Sequence, residues 1–134
     1  MSVAWLLITT AFIEAVTGIS LITVPNLVAE LLFGEVLTGA GLALARVAGV
    51  ALFALGVAAW SGRHDLSRSA ALAAMITYNI PVAIYLTYLG ISGHLLGVLL
   101  WPAAATHAAL GLFLTRAWFL QQSVRQRIEQ HESR

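Results

Sequence analysis

Gly39–Trp60 reads GAGLALARVAGVALFALGVAAW, a run in which Arg46 is the only charged residue. A helix needs ~20 apolar residues to span the hydrocarbon of a bilayer, and this run has that length. Three more such runs lie outward from it, at about Val3–Val24, about Leu66–Leu89 and about His94–Trp118. Pro25-Asn26 stops the first, and Ser61-Gly62-Arg63 separates the second from the third. The whole chain of 134 residues is 60% hydrophobic and 10% charged, against roughly 45–50% and about 25% in soluble domains. A soluble domain of this size still exposes about a third of its unfolded area, so it has nowhere to hide so much apolar surface. Lipid must supply the cover. The pattern predicts an all-α integral membrane four-helix bundle, with one domain over residues 1–120 and a polar tail over 121–134. The short Gly90–Gly93 link makes the last two helices antiparallel neighbours, and the tail reads as a short helical extension or a disordered end. Leu27–Phe33 is too short to cross. With Glu30 on one side and Leu27, Leu31 and Leu32 on the other, it is expected to lie along the membrane interface.

Charge orients the bundle. All seven basic residues are arginine. Arg63 and Arg68 fall in the second connection, and Arg116, Arg125, Arg127 and Arg134 lie at or beyond the last helix end. The first connection holds Glu30 and Glu35 and no arginine. The positive-inside rule then places both termini and the second connection in the cytoplasm. Trp5, Trp60 and Trp118 would form an aromatic belt at that face, with Tyr85 and Tyr88 nearer the other. The first run lacks a basic lead and carries Glu14 in its middle, so it reads as a retained helix and not a cleaved signal.

Several function classes are excluded. A net charge of +1 with no basic patch before the last ten residues excludes a nucleic-acid partner. The absence of cysteine excludes disulfides, thiolate catalysis and cysteine-ligated metals. Gly34–Gly39 has no lysine and Gly39-Ala40-Gly41 opens a membrane helix, so neither is a phosphate cradle. No nucleophile–base spacing is present. Haem or metal is not expected: His107 has no second histidine at matching depth on another helix, since His64, His94 and His131 lie in connections, at a helix start or in the tail.

What remains is polar chemistry at membrane depth, where ionisable groups are costly and mark function by default. Each run contributes one such residue: Glu14, Arg46, Asn79 and His107. At 1.5 Å per residue from the cytoplasmic end, Glu14 lies roughly 16 Å deep, Arg46 and Asn79 about 20 Å, and His107 about 15–17 Å. One slab would hold all four. Thr10 and Thr17 flank Glu14 on its helix face, while Pro81 and Pro102 weaken the backbone near Asn79 and near Thr106-His107. Two readings stand side by side. A Glu14–Arg46 pair with Asn79 and His107 can act as interhelical glue, or the cluster can line a cavity handling a proton, an ion or a small molecule. Tyr78, Tyr85 and Trp101 are further cavity-lining candidates, for a quinone or lipid tail, with packing as the plainer reading. Gly41, Ala45 and Gly49 make a stripe of small residues suited to close helix approach, and through it to self-association.

Glu14-Ala15-Val16-Thr17-Gly18, Pro25, Leu31-Leu32-Phe33-Gly34 and Ala45-Arg46-Val47-Ala48-Gly49 together resemble small bacterial inner-membrane proteins of the four-helix, DoxX-like kind. The resemblance covers about the first sixty residues. It implies a multi-pass inner-membrane protein without assigned activity. A likeness to membrane glutathione transferases fails, because Arg46 stands without the Glu and Asn that would accompany it. The expectation is a structural or accessory, self-associating membrane subunit without enzymatic activity or cofactor. A small oligomeric transporter or channel and a lipid- or quinone-binding subunit are the alternatives.

Overall fold

The computed structural model of the protein describes residues 2–64 and 68–132. These fold into five helices: α1 (Val3–Thr23), α2 (Pro25–Phe33), α3 (Ala40–Ser61), α4 (Arg68–Ser92) and α5 (Leu100–Glu132). By length and composition α1, α3 and α4 each suffice to cross a bilayer, which makes the chain a multi-pass membrane protein.

Local chemistry explains most boundaries. Ser2 caps α1, its side chain accepting from the Trp5 N–H at 3.4 Å. Pro25 opens α2 at a position where a missing N–H costs nothing. Gly34 closes α2 in the left-handed region, with φ 76°. The expected start of the third crossing at Leu66 lies outside the described residues. Two expectations near the second half need correction. First, α4 runs on to Ser92 instead of ending at Leu89, because the Trp101 ring packs directly on Gly90 and keeps it helical. Second, α5 begins at Leu100 and not at His94. The intervening segment is bound to α2: the Leu99 N–H donates to the Leu31 carbonyl at 2.8 Å, and Gly97 lies against the Leu31 and Leu32 backbone. Beyond Trp118 the helix continues to Glu132, so the described part of the tail is a helical extension.

The helices are arranged as two antiparallel pairs. In the first, α1 and α3 meet backbone to backbone. A Cβ added to Gly18 would sit 2.6 Å from the Gly49 carbonyl oxygen, and one added to Gly49 would sit 2.7 Å from that of Gly18. Gly56 approaches Ala11 and Ala15 in the same way. Contact this close lets Cα–H groups face carbonyl oxygens across the seam. In the second pair, α4 and α5 lie together through Gly90 with Trp101 and Ile80 with Gly111.

Larger side chains join the pairs. Leu6 and Leu7 of α1, Ala59 of α3, Leu72 and Met75 of α4 and Leu110 and Leu114 of α5 form one apolar cluster. At the opposite end, Leu86, Leu100 and Ala104 form a second, roofed by Leu32 and Phe33 of α2. The outer surface is apolar as well: Phe12, Leu44, Val47, Ile84, Leu112 and Phe119 are all exposed, as lipid-facing residues should be. Trp5 and Trp60 are exposed at the end of the first cluster, against which Trp118 packs.

Candidate functional site: a polar centre between two apolar clusters

The few polar groups of the interior sit between these clusters. Glu14, Thr10 and Asn79 are the only buried polar or charged side chains among the described residues, and Glu14 is 1% exposed. The Thr10 hydroxyl is occupied by its own helix, donating to the Leu6 carbonyl at 2.8 Å. Asn79 is held at both ends. Its amide nitrogen donates to the Met75 carbonyl at 2.9 Å, and its amide oxygen lies 2.8 Å from Nδ1 of His107. With that oxygen an acceptor, the proton of a neutral His107 belongs on Nδ1, which leaves Nε2 as a lone-pair acceptor.

Tyr78, one residue before Asn79, ties this group to α1. Its ring meets the His107 ring edge-on, with centroids 5.5 Å apart and planes at 81°, a favoured aromatic arrangement. Its hydroxyl lies close enough to the Glu14 carboxyl for the two groups to interact electrostatically. Glu14, Tyr78, Asn79 and His107 thus form a chain across α1, α4 and α5. One atom of it is unsatisfied: Glu14 Oε1 has no hydrogen-bond partner among the described residues. Buried polar atoms are nearly always paired, so this oxygen marks a place that calls for a hydrogen-bond partner.

Three of the four expected midplane residues are therefore brought together, and Arg46 is not. Arg46 is exposed, and its Nε donates to the Ile22 carbonyl at 3.4 Å. Ile22 is eight residues along α1 from Glu14, roughly 12 Å at 1.5 Å per residue. The Gly18–Gly49 contact fixes this register, so no Glu14–Arg46 pair forms. Glu14 interacts instead with Tyr78, which the sequence groups with Tyr85 and Trp101 as a cavity-lining candidate. The signal was present: Tyr78 adjoins Asn79, at the depth of Glu14, and carries an uncharged donor.

The remaining candidates disperse. Thr17 flanks Glu14 half-buried, and Thr106 is exposed with its hydroxyl bonded to the Pro102 carbonyl at 2.8 Å. Tyr85 is exposed and stacks on Tyr88 at 6.5 Å, while Trp101 covers Gly90. Tyr78, Tyr85 and Trp101 thus share no single pocket. Pro81 does interrupt α4 beside the centre. Pro102, by contrast, falls in the first turn of α5, where helix N–H groups lack partners anyway, so it breaks nothing. In the small-residue stripe, Gly49 is consumed by α1 of its own chain, and a Cβ on Gly41 would meet only Leu37, at 3.6 Å. Among the described residues no three His, Asp or Glu side chains converge on one point. Comparison with known proteins finds no matching family model, no matching curated protein and no matching solved structure.

Proposed function

We propose that this chain is a four-crossing bundle of the bacterial inner membrane whose Glu14–Tyr78–Asn79–His107 centre handles a proton or a small hydrogen-bond donor within the bilayer. In this reading α5 is the fourth crossing: it lies antiparallel along α4, and Leu100–Leu120 is apolar apart from Thr106, His107, Thr115 and Arg116. Arginine placement supports an orientation with both termini in the cytoplasm. The observation that carries the reading is the unpartnered Oε1 of the buried Glu14. Glue alone requires satisfied groups, and a half-satisfied buried network is worse than an apolar one. The Nε2 lone pair of His107, whose ring meets that of Tyr78 edge-on, is a second acceptor of the centre. The chain acts without enzymatic chemistry, as a small transporter, alone or as an oligomer.

A second reading is the structural or accessory subunit. It is favoured by Asn79, whose two hydrogen bonds clamp α4 to α5 as interhelical glue does. Proteoliposomes carrying an internal pH dye separate the two. After an acid pulse, the wild-type protein should acidify the lumen faster than protein-free vesicles, and Glu14→Gln should fall to the protein-free rate. Equal background rates in both would leave the structural reading. The DoxX-like resemblance fits either.

A further inference from the structure

An apolar cavity lies elsewhere, on the outer side of the α1–α3 pair. It has a volume of about 500 Å³, and its lining is almost wholly apolar. Ala11, Ala15 and Gly56 form its floor, and Ile8, Phe12, Val57 and Trp60 form its walls. The small residues that bring the two backbones together also leave this trough open between the larger side chains beside them. Its size falls in the ~300–1,000 Å³ range of small-molecule sites.

One end of the trough is cationic. Trp60 lines it, and the Arg63 guanidinium carbon lies 4.1 Å from the centroid of the Trp60 ring. Arg63 is fixed there by a second contact, Nη1 donating to the Trp60 carbonyl at 2.5 Å. Arg68 approaches the same turn, its Nη2 donating to the Arg63 carbonyl at 3.1 Å. A stacked guanidinium keeps most of its five donors for an anion and suits phosphate geometry. Trp60 lies in the last turn of α3 and Arg63 just beyond its end, the level at which phospholipid phosphates lie beside a membrane-spanning helix. The trough is thus greasy along its length and positive at the headgroup end.

We propose that the α1–α3 trough holds one acyl chain of an anionic phospholipid, with its phosphate on Arg63 above Trp60. The charge complementarity at the Trp60 end selects this occupant over a zwitterionic lipid. The inference rests on the membrane assignment alone and is independent of the Glu14 centre.

Native mass spectrometry of the full chain, released from mixed micelles of equimolar phosphatidylglycerol and phosphatidylcholine, tests it. The wild type should carry one phosphatidylglycerol, about fivefold over phosphatidylcholine, the preference one basic residue near the headgroups confers. Arg63→Gln should bring the two lipids near parity, and Arg63→Lys should keep most of the preference. Val57→Trp, which fills the trough from its wall, should lose the bound lipid while its helical circular dichroism stays intact. Equal retention of both lipids by the wild type overturns the proposal, and so does an unchanged preference in Arg63→Gln. A lipid-free dimer would overturn it as well, by showing that a second copy covers the trough.

Discussion

Asn79 does two jobs with one amide: it bonds its own helix through Met75 and the neighbouring helix through His107. Removing it leaves the His107 Nδ1 group without its acceptor. A double-mutant cycle of Asn79→Ala and His107→Ala should therefore give a coupling of ~0.6–2 kcal/mol, read from unfolding in mixed micelles. Additive single effects would show that the 2.8 Å contact contributes nothing. Glu14→Gln keeps the shape and supplies an amide donor of its own. Stability in the same assay should hold or rise while proton flux falls, a split that a purely structural Glu14 would not produce. At this scale the sequence was informative about which residues matter and poor on who meets whom. Glu14, Asn79 and His107 could be picked out by cost alone, since apolar surroundings make each expensive. The Tyr78 partnership depends on the rotation of α4 against α1, which composition does not encode.

Among the elements, the seam between α1 and α3 is the tightest, and substitutions there should sort by position. Gly49→Leu drives a side chain into the Gly18 carbonyl and Ile22. It should lower stability by at least ~1–3 kcal/mol, the range for overpacking, and its primary effect is on the fold of the single chain. Gly41→Ala meets only Leu37 and should be neutral, or stabilising by up to ~1 kcal/mol through helix propensity. Thermal unfolding followed by circular dichroism compares the two, and similar melting points would refute the seam. Helix ends marked by local chemistry were partly readable: α1 and α3 fall within a residue of their expected limits, whereas α2 begins at Pro25, two residues before the expected Leu27, because a proline that stops one helix also suits the first turn of the next. The start of α5 was not readable, because residues 94–99 are held away from helix by α2, far off in sequence. Arg46 was misplaced for a related reason. Depth counted from helix ends assumes flush ends, whereas the glycine contact slides α3 along α1.

Across the whole molecule, the absence of cysteine offers a direct test of how the chain threads the bilayer. Single cysteines at Ser2, Ser61 and Ser123 should all react with an impermeant maleimide from one side of the membrane. A cysteine at Gly93 should react from the other. If Ser123 labels with Gly93, α5 does not cross and the fourth span is lost. The overall class was already clear from 60% hydrophobic residues; the division into two helix pairs was not, since every apolar run looks alike to lipid. That division has a mechanical side. With no side chains cushioning Gly18 against Gly49, the first pair behaves as a stiff plank with nothing to compress or reshuffle. Any breathing of the molecule is then expected at the softer boundary between planks, where Tyr78 reaches over to Glu14, so a shift of one pair against the other would open or shut that link.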